Sequence, residues 1–344
     1  MLHRNPPLRC DIQAYNLLWP LTRLIVYYLP LTGDWDPNKW LRSAFLSACG
    51  VKAGLRPTPT WKHPGRETPK KSCSTNMPTY AVLGATGTTG SEITRLLLPR
   101  PDVHIKVYAR SREKLLNAVP ELEAAKNAQT FIGPLSDVAN MTACLRDANV
   151  IFMAVGTNSN KPGTRVTRDA SETLAASLNA LRLEKAATGY RPPTLVFLAS
   201  AMTASWTREH QPWLANRFVY NAGYFIYSDH VASFAYLDKE VPWLPLIKAS
   251  PGALVEDVAS GFRLEPHGRS SETCSYKDLA AAMILMVEDG ERDWVGMDPG
   301  VFSLGKPRRD LLVLDKLPFH LIPGNVVTWL PWSYRLLRKI RLIQ

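Results

Sequence analysis

The chain is poor in cysteine, and the cysteines it has are not arranged for chemistry. Five are scattered through 344 residues, at Cys10, Cys49, Cys73, Cys144 and Cys274, an odd number with no Cys-x-x-Cys spacing. This argues against a disulfide framework and against a thiolate zinc site, and it fits a reducing, cytoplasmic compartment. Cys144 lies on an apolar helical face and is expected to pack as a small hydrophobe. His210 and His230 have no ligand-like companions, so no metal is expected. An unbroken apolar run of spanning length is also lacking. The best candidate, residues 12–33, is interrupted by Pro20, Arg23 and Pro30. A membrane-spanning helix needs about 20 apolar residues, and a central Arg costs about 2.5–3.5 kcal/mol on insertion scales. A spanning segment is therefore not favoured, and neither the charged start nor the cleavage site of a secretory signal is clear.

Acidic residues are scarce at the two ends. Residues 1–76 carry 11 Lys/Arg against 4 Asp/Glu, and residues 304–344 carry 8 against 2. The net charge of +11 thus belongs to the ends, while the middle holds 22 basic and 24 acidic residues, a net of −2. No nucleic-acid partner is expected from such a body, and membrane contact is left to the tails, as a peripheral association at most.

What is present is a strand–helix alternation on a chain that is 46% hydrophobic, enough for one large core or two modest ones. Residues 50–76 are rich in Pro, Lys, Arg, Ser and Thr without apolar periodicity, and read as a linker. Residues 1–76 are therefore expected to be a non-catalytic extension, with Met77 marking the start of the working protein. From there, strands are expected at 79–83, 104–109, 129–132, 149–155, 194–199 and 244–249. Helices are expected at 89–98, 111–118, 137–146, 165–182, about 227–239 and 276–288, the last opened by Ser275 and Asp278, with a final strand near 300–304. The fold class is α/β, a doubly wound parallel sheet over 77–304 with a small C-terminal substrate-binding portion, followed by a basic amphipathic tail over 305–344.

The strongest local signal is Thr79-Tyr-Ala-Val-Leu-Gly-Ala-Thr-Gly-Thr-Thr-Gly90. An apolar strand runs into Gly84, Gly87 and Gly90, and an amphipathic helix with Ile93, Leu96 and Leu97 on one face follows at once. Strand, glycine turn and helix N-terminus form a phosphate-binding unit. Gly84 permits the turn, Gly87 lets a pyrophosphate approach, and Gly90 allows helix and strand to pack closely. Backbone and hydroxyls of Thr86, Thr88 and Thr89 belong to the same cradle, where first-turn N–H groups and the helix dipole face the anion. The second strand ends in Arg110-Ser111-Arg112 with no carboxylate at its tip. Two guanidiniums and a hydroxyl suit the 2′-phosphate of NADP(H), where an acid would suit the free ribose of NAD.

The glycine spacing resembles the atypical and extended short-chain dehydrogenase/reductases, including NmrA-like proteins. Thr79–Gly90, Val150–Asn158, the helix from Tyr227-Ser-Asp229 and Ser275–Ala282 look more narrowly like the fungal averufin oxidase A family, NAD(P)-binding oxidoreductases of aflatoxin- and sterigmatocystin-type pathways. The resemblance covers about 79–304. It implies a Rossmann fold, a nicotinamide cofactor and an aromatic polyketide substrate of the anthraquinone or xanthone type. Two departures stand out. Gly133-Pro134 replaces the Gly-Asp that contacts adenine in relatives; Asp137 either substitutes for it or serves as a helix N-terminal acid. More consequentially, the Tyr-x-x-x-Lys of short-chain dehydrogenases is absent, since four residues after Tyr220, Tyr224, Tyr227 and Tyr236 stand Tyr224, Ser228, Val231 and Glu240. In that pair the lysine lowers a phenol from its ordinary value of ~10.

Ligands of such folds bind outside the carboxyl ends of the strands, which brings Gly156, Thr157 and Asn158 beside the cofactor. Ser200 and Thr203 follow the fifth strand, with Ser200 either a substrate-binding hydroxyl or a turn cap. Tyr227 is the candidate proton donor, and Asp229, with Ser200, completes the catalytic set. Nine aromatics between Trp206 and Tyr236 either line a pocket for a flat substrate or are core. In the tail, Trp329, Trp332, Leu336, Ile340 and Ile343 recur at helical spacing beside Arg335, Arg338, Lys339 and Arg341. Such a helix either lies in a membrane interface or caps the core, and capping is the expected role. The leading expectation is an NADP(H)-dependent oxidoreductase of secondary metabolism; the alternative is an NmrA-like NADP-sensing regulator without turnover.

Overall fold

The structure, a computed structural model, describes residues 77–207, 213–266, 273–288, 294–305, 317–340, 342 and 343, all within the unit Asn76–Gln344. The expectations for residues 1–76, His210 and Arg341 lie outside the described residues.

Six parallel strands follow from the apolar runs: β1 (Thr79–Leu83), β2 (His104–Ala109), β3 (Ala128–Ile132), β4 (Val150–Met153), β5 (Thr194–Leu198) and β6 (Leu246–Pro251). Three short strands come next, β7 (Ala253–Val255), β8 (Phe262–Glu265) and β9 (Thr273–Ser275), and then β10 (Gly300–Ser303). The main sheet has the order β3-β2-β1-β4-β5-β6-β10-β8, parallel throughout except for the β10–β8 pair, while β7 and β9 form a separate parallel ribbon. Chain order reverses between β1 and β4, the switch point at which doubly wound sheets hold their ligands. The expected α/β doubly wound sheet is the observed one.

Helices cover both faces. They are α1 (Thr88–Leu97), α2 (Arg112–Ala118), α3 (Val138–Leu145), α4 (Val166–Glu184), α5 (Trp213–Ala222), α6 (Tyr224–Glu240), α7 (Tyr276–Glu288), α8 (Leu317–Trp329) and α9 (Ser333–Lys339). The period of two along each strand divides the core. Val82, Phe152 and Val196 pack with Ile93 and Leu97 of α1 and with Leu279 and Met283 of α7. Their neighbours Ala81, Leu83, Ile151, Met153, Leu195 and Phe197 pack on the other face against α3, α4 and α6. Cys144 sits in this second core, where burial pushes its thiol up to about 12.

Several expectations need correction. Leu96 is 41% exposed, because the buried stripe of α1 runs through Gly90, Ile93, Thr94 and Leu97, the i, i+3, i+4, i+7 set. α6 starts at Tyr224, three residues before the expected boundary, and α5 precedes it. The tail is two helices rather than one, parted near Pro331, which cannot donate to continue α8. α7 opens as expected, with the Ser275 hydroxyl accepting the Asp278 N–H at 3.0 Å. The buried Asp278 carboxylate also accepts from the backbone N–H of Ser260 and Gly261 and from the hydroxyls of Ser275 and Ser303. That one carboxylate ties β10, α7 and the loop before β8 together.

Candidate functional site

The glycine turn is built from the inside. Gly84 has φ +89°, and a Cβ there would lie 2.6 Å from the Ala154 carbonyl oxygen. Gly90 sits against the Gly84 carbonyl with no room for a side chain. The Gly87 N–H closes the turn on Gly84 O at 3.0 Å. Gly87 itself is different: its φ is −86°, and a Cβ would meet only Gly84 O at an ordinary 3.4 Å. Nothing in the protein requires glycine there, whereas a pyrophosphate would. No side chain caps α1 and its first turn holds no acid, so the first-turn N–H groups are left for an anion. Thr86 and Thr88 are exposed at this opening, and Thr89 is buried.

At the end of β2, Arg110 and Arg112 are exposed and Ser111 is half-buried. The Ser111 hydroxyl accepts the Lys114 N–H at 3.3 Å and so caps α2, a local task beside any contact with a ligand. Among the described residues neither arginine has an ion-pair partner, so both guanidiniums are available to a phosphate. Asp137 caps α3, accepting the Asn140 N–H at 3.0 Å, which is the helix N-terminal role.

The segment after β4 joins this half to a second one. Ala154 backs the glycine turn, Gly156 is exposed, and Thr157 turns its hydroxyl to the Ser159 N–H at 3.1 Å. Asn158 and Asn160 then line a cavity of about 200 Å³ with Tyr227, Gly324, Tyr334 and Ile343. Asn160 is the joint: its Oδ1 accepts the Phe225 N–H at 2.9 Å, and its amide reaches the Gly324 carbonyl at 3.5 Å. The Ser159 and Tyr334 hydroxyls are 3.0 Å apart. α8 packs on α5 so tightly that a Cβ on Gly324 would overlap the Ala222 backbone.

Tyr227 and Ser200 come together. Burial raises the Tyr227 phenol above its usual range, and the nearby Ser200 hydroxyl pulls the other way. The Tyr227 ring lies over Gly223, where a Cβ would come within 2.7 Å of it, and against Tyr220 at 5.3 Å between centroids. Ser200 also caps the short 3-10 turn Ala201–Thr203, accepting the Met202 N–H at 3.2 Å. Of the two readings of Ser200, the turn cap is the one seen. Thr203 is occupied on Ser200 O at 2.8 Å.

Asp229 does not join them. It is buried, and its two oxygens accept the Thr167 and Arg168 N–H groups at 2.8 and 3.0 Å. The carboxylate is the missing cap of α4, whose own boundary residue Arg165 provides none. Its neighbour His230 packs on Phe197 and Phe234, and burial pushes its pKa down to about 4. The aromatic cluster divides. Trp206 and Phe234 are core, Tyr236 carries the Arg168 guanidinium at 4.1 Å, and Tyr227 lines the cavity. Sequence reasoning missed Asn160, Gly324 and Tyr334; the periodic row of the tail led to the cavity only at Ile343. Among the described residues no three His, Cys, Asp or Glu side chains could hold a metal together.

Residues 84–290 match the NAD(P)H-binding family, and the chain belongs to that family. Oxidoreductase stcQ of Emericella nidulans is 33% identical over 270 residues, which cover 77% of this chain and 96% of that protein. Oxidoreductase dmxR7 of a Cryptosporiopsis species is 34% identical over 225 residues, 65% of this chain and 94% of that one. A short-chain dehydrogenase/reductase from Veillonella parvula has a similar fold, with a TM-score of 0.54 at 16% identity over 68% of this chain and 100% of the other. The protein is an NAD(P)H-binding oxidoreductase related to fungal oxidoreductases.

Proposed function

We propose that this oxidoreductase uses NADP(H) to reduce a carbonyl of a flat aromatic polyketide, of the anthraquinone or xanthone type, in fungal secondary metabolism. The reading rests above all on one observation: the Tyr227 phenol, with the Ser200 hydroxyl near it, lines the same cavity as Asn158, on the segment that leads back to the glycine turn. The resemblance to the averufin oxidase A family supports the substrate class. The first-turn N–H groups of α1 and the Gly87 backbone would hold the pyrophosphate, and Arg110, Ser111 and Arg112 the 2′-phosphate. Bound in this way, reduced nicotinamide supplies a hydride. Tyr227 gives its proton to the carbonyl oxygen as the alcohol forms, and Ser200 orients the phenol and the same oxygen. With its pKa raised and no lysine beside it, Tyr227 stays protonated across the neutral range, which suits a proton donor and so the reductive direction.

The test is consumption of NADPH by the full chain, followed by loss of nicotinamide absorbance, with and without an anthraquinone or xanthone. Turnover that depends on the quinone is expected, and NADPH is expected to serve better than NADH. Arg110→Asp should reverse or erase that preference, by about tenfold; unchanged NADPH affinity in this variant would remove the 2′-phosphate assignment. A second reading is an NADP sensor that does no chemistry. The absent lysine favours it, because the phenol rises instead of falling. Tight NADPH binding with no turnover on any quinone of the panel would decide for the sensor.

A further inference from the structure

α8 and α9 have two apolar faces, and only one is used. Val327 and Tyr334 are buried and line the cavity, and Ser333 is buried beside them in sequence, so the tail does cap the fold. Of the row read from the sequence as the capping stripe, Ile343 lines the cavity, but the other four residues face out instead. Trp329 is 69% exposed and Trp332 70%, and Leu336 and Ile340 continue the row at i+4 and i+8 from Trp332 with more than half of their surface free. A tryptophan left this open in water is uncommon, and here two stand three residues apart. Arg335, Arg338 and Lys339 are exposed on the same short helix, and residues 317–343 contain no Asp or Glu.

We propose that this outward face of α8 and α9 is a peripheral binding surface for an anionic lipid bilayer. The tryptophans and aliphatic side chains would enter the boundary between headgroups and acyl chains, and the three cations would rest on acidic headgroups. No described helix is long and apolar enough to cross a membrane, so the contact is one of lying on the surface. Charge separates a bilayer from a second copy of the chain. A two-fold contact on this face would set Arg335, Arg338 and Lys339 against their own copies, with no acid on these helices to offset them. An anionic surface meets all three with opposite charge. The inference is independent of the chemistry assigned to Tyr227.

The full chain is sedimented with phosphatidylcholine vesicles prepared with and without phosphatidylserine, and its tryptophan emission is read with brominated acyl chains as quencher. Binding that requires phosphatidylserine, with quenching, is expected. Trp329→Ser with Trp332→Ser should abolish the quenching. Arg335→Glu with Arg338→Glu should weaken partitioning at least about tenfold. Both pairs are exposed, so NADPH affinity should be unchanged, which also reports an intact fold. The proposal is overturned if the wild type stays in the supernatant. It is equally overturned if both variants bind as the wild type does, because the contact then lies elsewhere in the chain. A dimer in sedimentation equilibrium that the tryptophan variant dissociates would assign the face to a second copy instead.

Discussion

Around the glycine turn, backbone packs on backbone. Gly84 lies against Ala154, and Gly90 against Gly84, with no side chain between them. Around the cavity, side chains join the elements: Asn160 reaches Phe225 and Gly324, Thr328 reaches the Asn221 carbonyl at 2.6 Å, and Asn325 reaches the Phe218 carbonyl at 3.0 Å. The first arrangement fixes one geometry and suits a ligand that never varies. The second can be altered one residue at a time without disturbing the first. In proteins of this architecture, function is therefore to be argued from the side-chain half.

The largest effect should separate two glycines of the same motif. A Cβ at Gly84 meets both a positive φ and the Ala154 carbonyl, so Gly84→Val should cost about 3–5 kcal/mol and leave little folded protein. Gly87→Ala should unfold within about 2 °C of the wild type, because no protein atom stands in its way. Its NADPH affinity should nonetheless fall about tenfold or more, since the methyl group occupies the approach to the phosphates. Thermal melts and fluorescence titrations of the two variants check this. A Gly87→Ala variant of normal affinity would mean that the turn is all scaffold.

Next in size is Tyr227→Phe. Turnover should drop at least about a hundredfold while NADPH affinity holds, because the phenol belongs to the cavity half and not to the turn. Ser200→Ala should lose less and shift the pH profile of reduction, since the hydroxyl whose influence offsets burial is gone. Equal losses of cofactor affinity and turnover in Tyr227→Phe would show that the halves are not separable.

The turn was readable in the sequence, and the cavity mostly was not, for physical reasons. β1 to β6 announce themselves through short apolar runs, and Gly84, Gly87 and Gly90 through spacing, all within a dozen residues. β7 to β9 are too short to show a period of two, and α5 hides in an aromatic stretch that also reads as core. Gly324 and Tyr334 reach the cavity only because α8 packs on α5, about a hundred residues earlier in the chain. Asp229 was misplaced by proximity. It stands two residues from Tyr227, and on a helix i and i+2 point to different sides, so one lines the cavity while the other caps α4. Asp229→Ala should accordingly cost about 2 kcal/mol in chemical unfolding and leave turnover per folded molecule unchanged. A loss of turnover without loss of stability would return Asp229 to the site.

His230, one residue further along α6, offers the finest division between a residue of the site and a residue of the core. Its pKa is held at about 4 by burial between Phe197 and Phe234, against an ordinary value of about 6.5 in the unfolded chain. Because the native value is the lower one, the unfolded state takes up a proton first as pH falls. Stability should therefore drop as pH falls from about 6.5 towards 4 and level off below that, with about 2 kcal/mol gone by pH 5. The imidazole Nδ1 has no hydrogen-bond partner, so His230→Phe should fold normally and lose this part of the acid sensitivity, while carboxylates titrate alike in both proteins. Urea midpoints at pH 7 and pH 5 for the two proteins measure the difference. If both lose the same stability, His230 is not held neutral by the core.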